Sequence, residues 1–346
     1  MKQREAEAVM PTALPTPHPT LSDVAAIAGV SVKTASRALN DLNNVSADTL
    51  DRVRKAAELL GYRSNRIARE LRVGALSNLV GMVIPDLSNP FYAGMASGVE
   101  EELAKHGLDL IIATARIDGE REKELIGSLL ERRVRGLIII PSGQDYSYLH
   151  NERKRGFSFV FADRPPAYLD ADVIVADNQG GIAKCVEYLV ARGCTKLALM
   201  ADNIEIWTAK ERIEGFKKAI ASNGLQATDS KVIEGLHTIE DAEKAATDLL
   251  LQKNPYDGFV VTNDLIATGV GYAVSTRKSD VAVVSFEEFP FSKAMGIPTL
   301  NHDPKRLGLL TTQALLTRME NPMGKDYAVH VLELELAGQD SQKADL

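Results

Sequence analysis

Between residues 79 and 286, short apolar runs alternate with longer amphipathic stretches, and this alternation restricts the fold more than any other feature. The stretch 91–106, for example, places Phe91, Met95 and Val99 on one helical face. Apolar runs that are buried on both sides and joined by helices predict parallel sheets in doubly wound α/β domains. The strand-like runs are LVGMVIP (79–85), LDLIIA (108–113), GLIIIP (136–141), FSFVFAD (157–163), DVIVAD (172–177), KLALMAD (196–202), GFVVTND (258–264) and DVAVVSF (280–286).

Eight strands are many for one open sheet, so the pattern predicts a body of two subdomains. We expect the N-terminal subdomain to comprise residues 78–176 and 304–326. The C-terminal subdomain is then 177–303 and 327–336, followed by a tail at 337–346. Ligands belong in the cleft outside the carboxyl ends of the strands.

Length and composition exclude several classes of protein. The chain has 346 residues, 45% of them hydrophobic and 25% charged, which is typical of a globular protein with more than one folding unit. We expect no membrane span, because no apolar run reaches 18 residues, and residues 1–19 lack the apolar core of a signal peptide. Two cysteines are too few for a disulfide framework, which favours a cytoplasmic setting.

The charge of the chain is unevenly distributed. Residues 20–72 contain nine Lys and Arg against six acidic residues, a net charge of +3, and residues 1–19 are neutral. Since the whole chain carries −7, residues 73–346 carry −10. A small basic head on an acidic body is expected when only the head binds a polyanion.

Residues 20–63 have the start and stop signals of three short helices, after a proline-rich lead-in at 1–19 that we expect to be disordered. Thr20 can cap a helix that ends at Gly29, and Ser31 can cap a second helix, Val32–Leu39. A third helix follows Ser46 and ends at Gly61. The first two helices, joined by a tight glycine turn, predict a helix-turn-helix. A small helical bundle with ordinary solvated charges is the alternative.

The start of the second helix is the end that enters the major groove in a helix-turn-helix. Val32, Lys33, Ser36 and Arg37 face outward there, and Arg37 can donate two hydrogen bonds to a guanine edge. Side chains that could bind phosphates and set the register are Ser31, Thr34, Asn40, Ser46 and Tyr62.

Residues 64–77 contain the short segment 65–72, which at eight residues is below the length needed for helicity alone in water. We therefore expect it to fold only when its apolar side is covered. Asn65, Ala68 and Leu71 are its candidate DNA contacts. A flexible linker is the alternative.

The sequence TLSDVAAIAGVSVKTASRALN, followed by VSADTLDRVRKAAELLGYRSNRIARELR, strongly resembles the head of the lactose-repressor (LacI/GalR) family of bacterial regulators. The resemblance implies an all-α head, a periplasmic-binding-protein-like body and a homodimer on near-palindromic double-stranded operator DNA. It also implies that Val32 and Lys33 read bases. It implies further that 64–77 is a hinge helix and linker, with the helix at 65–72 and its Leu71 wedged into the minor groove.

A sugar, polyol or nucleoside effector needs carboxylates, amides and Arg for its hydroxyls and a ring for its apolar face. Ordinary structural roles remain open: Asn89 and Asn263 could cap helices, Glu287 could face solvent, and Trp207 could pack in the core. Arg212 and Asn263 stand where the resemblance implies effector contact. The candidates are Asp86, Asn89, Phe91, Asp163, Trp207, Arg212, Asn263, Glu287 and His302.

The sequence therefore predicts an allosteric transcriptional regulator, of the repressor kind, with a small-molecule effector and no membrane partner. We expect no cofactor and no catalytic set, because no histidines stand at metal-ligand spacing and no nucleophile elbow is present. The alternatives are a transport solute-binding protein, which would leave residues 20–72 without a role, and an α/β enzyme with a regulatory head.

Overall fold

The computed structural model describes residues 19–39, 45–62 and 77–337. The chain forms two compact units, Met1–Ala75 and Leu76–Leu346. Four of the predicted DNA contacts, Asn40, Asn65, Ala68 and Leu71, lie outside the described residues.

The described part of the first unit contains helices α1 (Leu21–Ala28), α2 (Val32–Leu39) and α3 (Ala47–Leu60). The predicted capping is confirmed at both ends of α1. The Asp23 amide donates to the Thr20 hydroxyl at 3.3 Å, and the Thr20 amide donates to the Asp23 carboxylate at 2.7 Å. Gly29 then ends the helix with φ 65°, a left-handed conformation that glycine adopts without strain.

Small side chains allow the three helices to pack closely. Val24, Ala25, Ala35 and Val53 are at most 2% exposed. The guanidinium of Arg52 on α3 donates to the carbonyl of Ala28 at 3.1 Å and so satisfies an end carbonyl of α1. The head is therefore held by a compact alanine-rich core.

The second unit contains two parallel sheets, and all eight predicted strands are confirmed. The strands of the first sheet are β1 (Leu79–Ile84), β2 (Asp109–Thr114), β3 (Gly136–Ile139), β4 (Ser158–Ala162), β5 (Asp172–Ala176) and β10 (Val329–Leu332). Their order in the sheet is β10-β5-β4-β3-β1-β2. Helices α4 (Pro90–Lys105) and α11 (Pro304–Glu320) cover one face. Helix α5 (Gly119–Glu131) packs on the other face, and the short α6 (His150–Lys154) precedes β4.

The strands of the second sheet are β6 (Leu197–Met200), β7 (Ser230–Ile233), β8 (Gly258–Val261) and β9 (Ala282–Ser285). Their order in the sheet is β7-β6-β8-β9. Helices α7 (Asn178–Ala191) and α8 (Trp207–Ser222) cover one face. Helices α9 (Ile239–Leu250) and α10 (Asp264–Arg277) cover the other. Single 3₁₀ turns occur at Ser147–Leu149 and Ala227–Asp229.

The assignment of all of 327–336 to the C-terminal subdomain is wrong for its first half. Val329–Leu332 pair in parallel with β5 and form the edge of the first sheet. The chain crosses to the second sheet only after β10, where Leu334 packs in the core beneath α7 and α8. Proximity along the chain favours the C-terminal subdomain, whereas the pairing partner of this strand lies about 150 residues away.

Helices α4 and α11 approach each other at two glycines. A Cβ atom on Gly98 would lie within 2.0 Å of the Lys305 carbonyl oxygen, and one on Gly308 within 2.1 Å of the Met95 carbonyl oxygen. Only glycine allows the two backbones to come this close. In the described part of the chain, no helix is long and apolar enough to span a membrane.

Candidate functional site

The start of α2 presents the predicted base-reading residues. Val32 is 48% exposed although it is apolar, and Lys33 beside it is exposed. Ser36 and Arg37, one turn later, are half-buried. An exposed valine at this position is free to make the apolar contact that the prediction assigns to it.

The predicted phosphate-binding residues of the head also have structural roles. The Ser31 hydroxyl accepts from the Thr34 amide at 3.1 Å, and the Ser46 hydroxyl accepts from the Thr49 amide at 3.3 Å. Tyr62 packs against the head core and is half-buried. These side chains are therefore oriented by the fold before any DNA binds.

The body has a small polar cavity of about 50 Å³ between its two sheets. It is lined by segments that follow strands of both sheets, as expected for doubly wound folds. Its lining residues are Asn89, Phe91, Tyr92, Asp163, Arg164, Asp202, Ile206, Thr208, Ala209, Arg212, Thr262, Asn263 and Glu287.

Arg212 is the central side chain of the C-terminal wall. Its Nε donates to the Asn178 amide oxygen at 2.8 Å, and its Nη1 donates to the Thr262 carbonyl. The same Nη1 lies 3.1 Å from the Glu287 carboxylate. The guanidinium also stacks 3.9 Å from the centre of the Phe286 ring. A planar group held on three sides presents a fixed orientation to a ligand.

Two carboxyl groups share the space beside Arg212. Burial opposes ionisation of Glu287, but Arg212 and His302 outweigh it and lower its pKa. Burial raises the pKa of Asp264 to about 7, and the nearby Glu287 carboxylate contributes to the increase. Glu287 is therefore the ionised member of the pair, and the solvent-facing alternative for it is wrong, since it is 6% exposed.

Arg164 and Asp163 form the corresponding pair on the N-terminal wall. Arg164 Nε lies 3.2 Å from Asp163, and its other nitrogens donate to the Pro141 carbonyl at 2.9 Å and to the Tyr92 hydroxyl at 2.8 Å. Asp163 has φ 65°, a conformation that costs energy for a residue other than glycine. Burial raises the pKa of Tyr92, so its hydroxyl remains a neutral donor and acceptor.

Asn89 and Asn263 have both of the roles considered for them. The Asn89 side chain accepts from the Phe91 amide at 2.8 Å and begins α4, and the Asn263 side chain accepts from the Ile266 amide at 2.8 Å and begins α10. Both amide groups also line the cavity, and Asn263 Nδ2 donates to Asp202 at 3.4 Å. Capping thus fixes one end of each amide while the rest faces the cavity.

Six of the nine predicted effector residues line this cavity, and three do not. Asp86 accepts hydrogen bonds from Ser88 in the loop before α4. His302 is 4% exposed, 3.6 Å from Glu287, between the Phe91 and Phe286 rings. Trp207 lines a larger adjoining crevice of about 770 Å³ and packs against the core of the first sheet. The six lining residues are Asn89, Phe91, Asp163, Arg212, Asn263 and Glu287.

Tyr92, Asp202, Thr208 and Thr262 line the cavity but are not among the predicted residues. Position after a strand was the signal available for Asp202 and Thr262, which directly follow the KLALMA and GFVV runs. Arg164, also on the lining, is the neighbour of the predicted Asp163. The Thr262 hydroxyl and both His302 ring nitrogens have no hydrogen-bond partner among the described residues. The Thr262 hydroxyl therefore adds hydrogen-bonding capacity to the cavity beside Arg212.

Within the ranges that the structure describes, no group of three or more His, Cys, Asp or Glu side chains could hold a metal ion. The polar groups of the cavity are instead paired donors and acceptors, an arrangement suited to binding hydroxyl groups.

Comparisons with known proteins cover both units. Residues 77–333 match the family described as periplasmic binding proteins and sugar binding domain of LacI family. Residues 20–65 match the family described as bacterial regulatory proteins, lacI family. These two matches confirm the predicted combination of a helix-turn-helix head with a periplasmic-binding-protein-like body. The transport alternative is not favoured, because it leaves the head unexplained.

Curated relatives and solved structures agree with these matches. The chain is 27% identical over 309 residues to the HTH-type transcriptional repressor PurR of Aliivibrio salmonicida, covering 87% of this chain and 92% of the repressor. It is 26% identical over 339 residues to the ribose operon repressor of Halalkalibacterium halodurans, covering 94% and 99%. The Lac repressor dimer bound to operator and the anti-inducer ONPF superposes with a TM-score of 0.79 at 25% identity, covering 92% and 97%.

Proposed function

Because this chain belongs to the lacI family of bacterial regulatory proteins, and is a DNA-binding transcriptional regulator with an effector-binding body, we propose that its effector is a small uncharged polyhydroxyl molecule. The observation that carries this proposal is the charge of the cavity. Two arginines, Arg164 and Arg212, are each paired with a carboxylate, and Asp202 adds one more negative charge. Such a cavity disfavours an anion and offers paired donors and acceptors to hydroxyl groups. Sugars, polyols and nucleosides are the candidate classes.

The effector class can be tested by a thermal-shift screen of neutral sugars, polyols and nucleosides. Phosphates of the same sugars serve as the negatively charged comparison set. A ligand that binds only the folded state raises the unfolding temperature by mass action. At a ligand concentration of 100 times Kd, the free energy of unfolding increases by about 2.7 kcal/mol. We expect neutral hits and their loss in Arg212→Met. Preferential binding of the phosphorylated set would contradict the proposal.

In the proposal, the six cavity-lining residues bind the effector directly, and His302 and Trp207 support them from beside the cavity. Asp86 stands just before α4 and orders the loop that carries Asn89. Closing the two subdomains on the effector then changes the relation between the N-terminal subdomains of two protomers. That change decides whether the hinge segments at 64–77 can pair on DNA.

Coupling of this kind is reciprocal: operator DNA must change effector affinity by the same factor by which the effector changes operator affinity. Titrating the effector by calorimetry with and without operator measures both sides. We expect a difference of about fivefold or more, since about 1–3 kcal/mol is usual for such coupling. Equal affinities would contradict the coupling and leave the effector site itself intact.

The regulator acts as a repressor and as a homodimer in this proposal, with the two heads reading the halves of a near-palindromic operator. The Lac repressor to which the chain is similar is a dimer on its operator. Light scattering of the protein in solution should give twice the mass of one chain. A monomer that still binds the near-palindromic operator tightly would contradict the proposed homodimer. The proposal includes a cytoplasmic location, because the operator DNA of a bacterial regulator lies there.

In the same proposal, Val32, Lys33, Ser36 and Arg37 read bases, and the hydroxyl-bearing residues of the head bind phosphates. The proposal includes no cofactor and no enzymatic role, and it is supported by relatives that are named as transcriptional repressors. Incubation of the effector with the protein should therefore leave the effector chemically unchanged, which mass spectrometry can check.

A further inference from the structure

Three arginines, Arg132, Arg133 and Arg135, lie in the loop that joins α5 to β3. We name this segment the arginine loop. All three side chains are exposed and have no hydrogen-bond, ion-pair or ring partner among the described residues. Three like charges within four residues repel one another, so contacts inside the loop do not explain why it contains three arginines.

The arginine loop is tied directly to the point where the chain enters the body. The amide and the hydroxyl of Ser77 both donate to the Arg133 carbonyl, at 3.2 and 2.9 Å. The Arg135 amide donates to the Leu79 carbonyl at 2.7 Å. Arg133 has φ 56°, a left-handed conformation that turns the loop at this position. The loop is therefore fixed beside the first described residue of the body.

This edge of the body is the one closest along the chain to the DNA-binding head. Fourteen residues, 63–76, separate the end of the described head from Ser77. The whole segment 73–346 carries −10, so an approaching duplex meets a repulsive field over most of the body. A cationic cluster at the entry edge offsets that repulsion locally, within the Debye length of about 8 Å at physiological salt.

A favourable interaction with the helix dipole does not account for the whole cluster. Arg132 is the C-cap residue of α5 and benefits from the negative end of the helix. Arg133 and Arg135 lie beyond the helix, where this effect falls off. Their guanidinium groups are well suited to phosphate oxygens, to which they can donate two parallel hydrogen bonds.

We propose that the arginine loop is a second DNA-binding element of this regulator, which binds backbone phosphates without regard to sequence. The head reads the operator, and the loop adds electrostatic attraction to the duplex from the body. Because phosphate contacts release counterions, the loop contributes chiefly to the salt dependence of binding.

Binding of the full-length protein to a mixed-sequence duplex of about 40 bp, titrated from about 50 to 200 mM KCl, tests the proposal. The slope of log K against log salt is negative, and each phosphate contact contributes about 0.9 to its magnitude. Arg132→Gln/Arg133→Gln/Arg135→Gln should therefore make the slope less steep, by up to about 2.7 per protomer. The matching triple Lys variant keeps the charge and should keep most of the slope.

The control variant removes three lysines that belong to the second sheet, its helices or their loops, Lys231→Gln/Lys244→Gln/Lys253→Gln. It changes the net charge by the same amount as the arginine variant. Its slope should differ from the wild-type slope by no more than about 0.9, the contribution of one phosphate contact. An unchanged slope in the arginine variant, or an equal loss in the lysine control, would overturn the proposal. Failure of the wild-type protein to bind the duplex at all would count against both the loop and the DNA-binding role.

Discussion

The guanidinium of Arg212 lies 3.1 Å from the carboxylate of Glu287, and both side chains are less than a tenth exposed. The two residues stand 75 positions apart in the chain, on α8 and just after β9. Asp264 and His302 complete a buried group of charged and titratable side chains around this ion pair. The pair therefore links the polar cavity to the stability of the body.

Removing Arg212 leaves the Glu287 charge buried without its partner. Arg212→Met should lower the free energy of unfolding by about 3–5 kcal/mol, the usual cost of breaking a buried ion pair from one side. Adding Glu287→Gln removes the uncompensated charge, so the double variant should recover part of the loss. Urea denaturation measures both. A double variant that is less stable than Arg212→Met would contradict this account.

Asp264 should make stability depend on pH. Its folded-state pKa of about 7 lies above the unfolded value of about 3.9, so the fold favours the neutral carboxyl. The stabilisation is complete below about pH 4 and is lost as the pH rises through the folded-state pKa.

Asp264→Asn should therefore stabilise the protein more at pH 8 than at pH 5, by about 1 kcal/mol or more. The asparagine side-chain oxygen can still accept from the Leu265 amide, as Asp264 does at 2.8 Å. Urea denaturation at the two pH values measures the difference, with Asp248→Asn, at an exposed position, as the control for general charge. The same gain at both pH values would show that Asp264 ionises without hindrance.

Two glycines in helices should respond oppositely to alanine. Gly98→Ala forces α4 away from the Lys305 carbonyl on α11 and should destabilise the body by about 1–3 kcal/mol or more. At Gly127 on α5 an added methyl carbon would meet no atom within 4 Å, so Gly127→Ala should stabilise by about 0.5–1 kcal/mol. Thermal unfolding of both variants checks the pair. Destabilisation by Gly127→Ala would contradict the open space beside this residue.

Leu71→Ala tests the wedge expected of the hinge segment, although Leu71 lies outside the described residues. Inserting an apolar side chain between base pairs helps only where the DNA bends to allow further contact. The variant should therefore weaken operator binding about tenfold or more, by about 1.4 kcal/mol, and leave binding to mixed-sequence DNA nearly unchanged. Fluorescence anisotropy on both duplexes measures this, and equal losses would argue against the wedge.

Local signals predicted most of the architecture. The bounds of α1 and α2 are confirmed, because a cap at Thr20 and a glycine at Gly29 act within three or four residues. All eight apolar runs are strands, and for every one except β2 the reason is that burial on both faces requires continuous apolar sequence. The missed strands, β7 and β10, lie at sheet edges, and Val329 and Val331 on β10 are exposed. These two strands have no continuous apolar run to mark them, unlike the edge strands β2 and β9, which do.

The cavity was predicted in part. Position after a strand and helix-capping residue types pointed to Asn89, Asp163 and Asn263, which do line it. The same reasoning included His302, which packs beside the cavity between two aromatic rings, and omitted Tyr92, whose hydroxyl accepts from Arg164. Spacing alone does not distinguish a side chain that faces the cavity from one that supports it.

The amino-acid order by itself determined the ends of α1 and α2, the eight strands that carry apolar runs and the division into a basic head and an acidic body. Each of these depends on interactions within a few residues or on summed composition. Only the tertiary structure decided that Val329–Leu332 join the first sheet, that Arg212 pairs with Glu287 and that Ser77 anchors the arginine loop. These contacts join residues 56 to about 150 positions apart, and their free energy appears only when packing has brought the partners together.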